Sequence, residues 1–214
     1  MSRSTLPGMG VFKSTDAGTS WKNMGLCDTH HISRVVIDPD DSDIVYVSAI
    51  GHMSSACNER GVFKTVDGGE TWKRVLFIDP WTAAMDLVMV PGKNKHLYAA
   101  TWQRAEEGHD HGGPESGIYK TTNAGRTWQR LSYELPVQSE SVGRIAVDVA
   151  TSNPRVVYAL FDLGQRDALF RSNDSGETWL LVNQNRLKAG WDWCEIRVSP
   201  DNEDELYSIG QTSY

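Results

Sequence analysis

Four charged residues stand immediately ahead of apolar runs: Arg34 before Val35-Val36-Ile37, Asp86 before Leu87-Val88-Met89-Val90, Arg144 before Ile145, and Glu195 before Ile196. Two facing carboxylates are the minimum equipment for cleaving a glycosidic bond, one protonating the leaving oxygen and the other acting as base or nucleophile. Asp86 and Glu195 are the candidate catalytic pair. Arg34 and Arg144 beside them would orient an anionic or hydroxyl-rich ligand. The same four charges also fit a ring of structural ion pairs between neighbouring elements. Positive neighbours keep a carboxylate ionised, which opposes the raised pKa a general acid needs.

Other residue types with chemical potential gather nearby in sequence. Trp81, Trp102, Trp191 and Trp193 fit either stacking on a sugar ring or peptide side chain, or plugging of a cavity mouth. His30 and His31 join the candidate ligand-binding set. Adjacent residues leading into a strand point to opposite sides, so the two rings share one ion poorly. His109-Asp110-His111 with Glu106 and Glu107 has metal-ligating side chains but no repeating ligand spacing, so a solvated loop is expected. The acidic stretches Asp40-Asp41-Ser42-Asp43 and Asp201 to Glu205 lack the Gly and terminal Glu of an EF-hand loop. Cys27, Cys57 and Cys194 have no ligand spacing, and their odd number excludes a closed disulfide framework. No cofactor and no metal are expected.

The elements that must position these residues are set by a repeat. One octapeptide pattern occurs four times: Ser/Thr, any, Asp/Asn, any, Gly, any, Ser/Thr, Trp. Its copies carry Asp16 and Trp21, Asp67 and Trp72, Asn123 and Trp128, and Asp174 and Trp179, with the tryptophans 51, 56 and 51 residues apart. The Asp accepts hydrogen bonds from N–H groups of the turn, the Gly takes a positive φ, and the Trp supplies a large apolar body. Before each copy stands a β-type lead: Gly10-Val-Phe-Lys13, Gly61-Val-Phe-Lys64, Gly117-Ile-Tyr-Lys120 and Ala168-Leu-Phe-Arg171. Each copy is therefore a hairpin turn whose Trp is expected to be buried.

A second element alternates with the first: an apolar run, a proline-containing turn, and another run ending near a Tyr, over 35–46, 87–98, 145–158 and 196–207. The first run of each pair is nearly continuous and is expected to be buried on both faces. Together the two elements give four-stranded antiparallel units, the blades of a β-propeller. The fold class is all-β. Residues 1–9 form an N-terminal extension, and 10–214 the propeller segment: a half-blade at 10–24, blades at 31–78, 83–134 and 141–183, and a half-blade at 192–211. The two half-blades are complementary and could close a four-bladed ring. The expectation is an open arc of a larger propeller, because the last one stops where its third strand would begin.

Alternation of strands sorts the connections. The proline turns and the repeat turns fall at one face, and the longer connections at the other, the long-loop face. Trp81, Trp102, Trp191, Trp193, five of the six histidines and all three cysteines fall on or beside that second set.

The repeats are those of Asp-box, or BNR, proteins. Wordings such as Val11-Phe-Lys-Ser-Thr-Asp-Ala-Gly18 and Gly113-Pro-Glu-Ser-Gly-Ile-Tyr-Lys120 resemble the bacterial sortilin-like, glycosyl-hydrolase-type members. Folds related to these include sialidases, xyloglucan-cleaving glycoside hydrolases and the sortilin ectodomain, a mixture of enzymes and binders. The resemblance implies a carbohydrate-directed segment, either glycoside-hydrolase-like or its non-catalytic sugar-binding relative. Its alternative is a sortilin-like scaffold that binds peptides or proteins, and a third reading is a structural module of a larger secreted protein. No Phe/Tyr-Arg-Ile-Pro motif or sialidase-type arginine triad is present, and Asn123 replaces the usual Asp in the third box. The family's members carry more blades than four, so remaining blades of a larger parent protein are implied as partners. An extracellular or periplasmic compartment follows from the same resemblance, although Met1 to Pro7 does not read as a signal peptide. A net charge of −7 over 214 residues counts against nucleic acid as a partner. No apolar run reaches the roughly 20 residues of a membrane span.

Overall fold

The structure is a computed structural model that describes residues 6–53, 55–104, 112–136, 142–164, 167–184 and 194–210. Three four-stranded antiparallel sheets and two two-stranded ones follow each other along the chain. The first half-blade is β1 (Phe12–Lys13) and β2 (Lys22–Asn23). Blade one is β3 (Ile32–Ile37), β4 (Val45–Ala49), β5 (Gly61–Thr65) and β6 (Lys73–Leu76). Blade two is β7 (Thr82–Met89), β8 (Leu97–Gln103), β9 (Gly117–Thr121) and β10 (Gln129–Leu131). Blade three is β11 (Ile145–Val149), β12 (Val157–Asp162), β13 (Asp167–Ser172) and β14 (Leu180–Gln184). The last half-blade is β15 (Cys194–Val198) and β16 (Leu206–Gly210). Among the described residues, helix is confined to a 3-10 turn at Cys27–Thr29, and no helix is long and apolar enough to cross a membrane.

First strands pack on one another in succession, β3 on β7, β7 on β11 and β11 on β15, which sets them nearest a common axis. Within each blade neighbouring strands pair in sequence order. The apolar cores lie between blades. One joins Tyr46, Val62 and Leu76 to Leu87 and Tyr119, the next joins Tyr98, Ile118 and Leu131 to Ile145, Val147 and Trp179, and a third joins Tyr158, Leu160 and Leu169 to Ile196. The second strands are buried on both faces: β8 from Leu97 to Trp102, all of β12, and Tyr46 to Ala49 of β4. The first strands β7 and β11 are also largely buried on both faces, as expected, whereas β3 and β15 are not. In β3, Val35 and Ile37 are exposed on the face opposite Val36, which packs into the core shared with blade two, and among the described residues no strand covers them. Among the described residues β1 pairs with β2 and β16 with β15, and the two half-blades do not pair with each other.

The box turns follow one hydrogen-bond plan. In the first, Ser14 Oγ accepts from Gly18 N at 2.8 Å, and the Asp16 carboxylate accepts from Ser20 N at 2.9 Å and Ser20 Oγ at 2.6 Å. Thr65, Asp67 and Thr71 repeat it, as do Ser172, Asp174 and Thr178. Asn123 keeps the plan with one bond reversed, its amide donating to Thr127 Oγ1 at 2.8 Å. The residue before each box Gly is also left-handed, with φ of 57° at Ala17, 60° at Ala124 and 65° at Ser175. Two successive left-handed residues reverse the chain tightly and point the turn's carbonyls outward.

Those carbonyls are where one blade holds the next. Lys13 donates to Gly68 O, Lys64 to Ala124 O and Lys120 to Ser175 O, each from the third strand of one blade to the box of the following one. Tyr46 and Tyr98 hydroxyls reach the same carbonyls of Ala124 and Ser175. In return each box rests on the blade before it: Trp72 Nε1 donates to Met24 O at 2.6 Å, and Gly176 lies against Leu131 and Tyr98. Trp179 is 2% exposed, whereas Trp72 and Trp128 are half-buried. Trp21 is 63% exposed, against the expectation that every box Trp is buried. It belongs to the first half-blade, and among the described residues no blade packs against that side.

Candidate functional site

At the axis, the third-strand motif plays no part and the first strands supply the charge. Opposite Tyr46, Tyr98, Tyr158 and Tyr207 stand Val36, Val88, Asp148 and Arg197. Two residues before each of these lies the slot of interest, which holds Arg34, Asp86, Ala146 and Glu195. The expected equivalence of Arg144 with the other three is therefore corrected. β3 and β7 each take an extra residue, between Ile32 and Arg34 and between Ala84 and Asp86, while β11 has no such bulge and carries Arg144 just ahead of its first residue.

Arg34 joins the two carboxylates. Its Nε lies 2.8 Å from Asp86 Oδ1 and its Nη2 2.8 Å from Glu195 Oε1. Glu195 Oε1 also meets Arg197 Nη2. Asp86, 4% exposed, accepts from its neighbour Leu87 N at 3.0 Å and from Val147 N of the next blade at 3.2 Å. Asp148 does the same one blade on, accepting from Val149 N and from Val198 N at 2.8 Å. These carboxylates thus tie β7 to an N–H of β11 and β11 to an N–H of β15, where an innermost strand has no ladder partner.

The electrostatics follow from these bonds. The hydrogen bond from Arg34 holds the Glu195 carboxyl below its usual range against a smaller burial effect. Burial pulls the Arg34 guanidinium down, but the bonds to Glu195 and Asp86 outweigh it and the pKa rises. Asp148 goes up, chiefly through burial. Glu195 is thus an ionised acceptor, unsuited to donating a proton, and Asp86 already accepts from three donors.

A second constellation lies at the long-loop face. His30, with φ of 54°, stacks on His52 at 3.8 Å between ring centroids, and His31 Nδ1 lies 3.0 Å from Gly51 O. Arg60 is 0% exposed and donates to Ile50 O, His52 O and Ser55 O. Trp102, 8% exposed, lies under two guanidiniums, with Arg104 Cζ 5.1 Å and Arg144 Cζ 4.9 Å from its ring centroid. Trp81 is half-buried, and its carbonyl accepts from Arg104 N at 3.2 Å. Trp191, Trp193 and the stretch from Glu106 to His111 lie outside the described residues. Among the described residues no group of three or more His, Cys, Asp or Glu could hold a metal ion.

The structure thus brings Arg34, Asp86 and Glu195 together, His30 beside His31, and Trp81, Trp102 and Arg144 to one rim. Sequence reasoning missed Arg197, Asp148, Arg60, Arg104 and the His30–His52 stack. A signal for Asp148 and Arg197 existed in the alternation along β11 and β15, which places them two residues beyond the slot. Nothing in the residue pattern signals Arg60, whose buried side chain is set by the fold of its own loop.

Comparison with known proteins agrees with this architecture. A xyloglucanase from Paenibacillus sp. is 25% identical over 82% of this chain and 15% of its own length. The oligoxyloglucan-reducing end-specific xyloglucanase of Emericella nidulans is 22% identical over 83% of this chain and 28% of its own. Among solved structures, the GH74 xyloglucanase from Xanthomonas campestris superposes with a TM-score of 0.70 at 18% identity, covering 94% of this chain and 32% of that one. The Niastella koreensis GH74 enzyme superposes equally well, with a TM-score of 0.70 at 20% identity and the same coverage. The chain therefore spans about a third or less of the length of each of these relatives. The family profile described as Sortilin, neurotensin receptor 3 (Sortilin-Vps10) matches residues 10–135, more than half of the sequence, and this Asp-box β-propeller chain belongs to that family.

Proposed function

We propose that the chain is an arc of a carbohydrate-directed, glycoside-hydrolase-like propeller whose ligand surface is the long-loop face. The observation that carries this reading is the convergence of Trp81, Trp102, Arg104, Arg144 and the His30–His52 pair at that rim, on loops held by a rigid scaffold. The likeness to two xyloglucanases over more than four fifths of the chain supports it. Trp81 offers the sugar a partly open ring, and the arginines and histidines offer donors to hydroxyl groups. Further blades of a longer protein would complete the ring around the axis.

In this reading Arg34, Asp86 and Glu195 shape the channel mouth. Glu195 is ionised beside two guanidiniums, which suits a base or a positioning group and not the acid. The test is binding of xyloglucan oligosaccharides by calorimetry, together with reducing-end release by the longest natural form of the protein. Binding that Trp81→Ala abolishes supports the sugar surface. Turnover unchanged in both Asp86→Asn and Glu195→Gln leaves that pair a structural role alone. The match to the sortilin family favours a second reading, a peptide- or protein-binding scaffold without catalysis. Failure to bind any oligosaccharide, with capture of an unstructured peptide at the same rim, selects it.

A further inference from the structure

We propose that a second copy of this chain docks on the first head to tail, its residues 10–37 completing the half-blade of β15 and β16. The inference goes beyond the carbohydrate reading and does not depend on it.

Three seams inside the chain supply the pattern. Across each, a second-strand tyrosine shares a core with two first-strand residues of the next unit: Tyr46 with Leu87 and Met89, Tyr98 with Val147 and Val149, Tyr158 with Ile196 and Val198. These three tyrosines are at most 3% exposed. Tyr207 is the fourth of the series and is 64% exposed. The β3 residues in register with Leu87 and Met89 are Val35 and Ile37, which are 50% and 56% exposed. One end of the arc thus displays the apolar partner that the other end lacks.

The outer strands repeat the match. A Cβ on the box glycines Gly69, Gly125 and Gly176 would lie 3.1, 3.2 and 3.0 Å from Met24, Val75 and Leu131 of the preceding unit. The next residue of that series is Val182, which is exposed, and its matching glycine is Gly18. Phe63, Tyr119 and Phe170 of the third strands are at most 9% exposed, whereas Phe12 of β1 is 46% exposed. In each complete blade the second-strand tyrosine stands opposite the third-strand cation, as Tyr46 does Lys64, Tyr98 does Lys120 and Tyr158 does Arg171. β16 lies at the edge of its sheet and would set Tyr207 opposite Lys13 in the same register. The box N–H groups of Gly68, Ala124 and Ser175 donate to the carbonyls of Asp43, Lys95 and Arg155, and the series continues with the N–H of Ala17 and the carbonyl of Asp204.

Every mate that the front of blade three and the edge of β16 call for is therefore carried by this same chain at its opposite end. That is why the partner is a second copy. The contact is front to back, a heterologous interface that either closes or grows. Two copies with both joints made form a ring of about eight blades, the upper end of the common range. Docking removes exposed apolar side chains and an unpaired strand edge from water.

The experiment is sedimentation velocity of the full chain from about 0.5 to about 100 µM. The expected result is a single copy at the low end, the condition in which the exposures above hold, and a pair at the high end. Tyr207→Asp blocks the front and Ile37→Asp the back. Both positions are exposed, so each variant should keep the far-UV circular dichroism of the parent chain. Each alone should lose at least about tenfold in self-affinity. Mixing the two leaves one intact front and one intact back, and should restore the pair. A single copy at every concentration overturns the proposal and leaves the seat to further blades of a longer chain. Pairing that survives both substitutions, or is lost in only one, overturns it as well, and so does a mixture that stays unpaired. Growth beyond a pair that both substitutions stop keeps the joint and rejects the closed ring.

Discussion

Trp179 and Trp21 occupy the same position of the same motif, so replacing each by Ala isolates what a preceding blade contributes. An indole side chain carries on the order of 200 Å² of surface, and burial stabilises by about 25 cal/mol per Å². Trp179 is 2% exposed, which gives about 5 kcal/mol as an upper figure. A compact unfolded chain lowers this to about 3–4 kcal/mol, within the range of measured core aromatic truncations. Trp21 is 63% exposed, so the same arithmetic leaves about 1–2 kcal/mol. Each keeps a local bond from its indole N–H, to Gly176 O at 3.2 Å and to Gly18 O at 3.1 Å, so that contribution largely cancels in the comparison. The expected difference is about 2 kcal/mol, a urea midpoint lower by roughly 1 M for Trp179→Ala than for Trp21→Ala. Far-UV circular dichroism against urea measures it. Equal midpoints in the two variants would refute the argument that boxes are stabilised by the blade before them.

Acid titration bears on the boxes. The hydroxyl of Ser20 holds the Asp16 carboxyl down at about 2, that of Thr65 does the same for Asp67, and at Asp174 burial pushes up but the bonds from Thr178, Ser172 and Glu177 together outweigh it and hold the carboxyl at about 2. A depressed folded pKa contributes stability above the unfolded value near 3.8, lost as pH falls from about 4 toward 2. Carbon-detected NMR should therefore show three carboxyl midpoints near 2, and midpoints near 4 would contradict it. Arg34→Ala leaves Asp86 buried with an unmatched charge and should cost about 2–4 kcal/mol, with the Glu195 titration moving back up toward its ordinary range. A melting curve like that of the parent chain would show the bridge to be ornamental. Cys194, whose thiol burial pushes up, should resist alkylation at neutral pH while the exposed Cys27 reacts. Peptide mapping after iodoacetamide reads both, and equal labelling would contradict the shielding of the half-buried Cys194 thiol.

The hairpins were legible because their information is local. Ser14, Asp16, Gly18 and Ser20 make their bonds among themselves, and the same is true in every copy. The sorting of loops followed from alternation alone, and box N–H groups indeed bond to proline-turn carbonyls of their own blade, as Gly68 does to Asp43 and Ala124 to Lys95. What lay beyond reach was contact between blades. Nothing in Gly-Val-Phe-Lys says that the lysine crosses to a neighbouring turn, and nothing near Arg34 names Glu195, 161 residues away. Register is the other obstacle: Arg144 precedes an apolar residue as Arg34 does, but counting back from the residue opposite the Tyr puts Ala146, not Arg144, in the slot. Exposure of Trp21 could not be read from its box, since it depends on what lies alongside.

The Lys-to-turn and Tyr-to-turn bonds give the ring a direction. The first half-blade and blades one and two reach forward with a lysine, and blades one and two also with a tyrosine, onto the next box turn, whereas blade three reaches the β15–β16 turn with Arg171 and Tyr158. A gene segment encoding one unit can therefore be duplicated or deleted, and the newcomer meets a neighbour it already fits. Stability in such an array accrues per seam, and its length is free to drift over evolutionary time while each seam is conserved in kind. The acid network at the axis, by contrast, differs from unit to unit, so the centre can specialise while the periphery goes on copying itself.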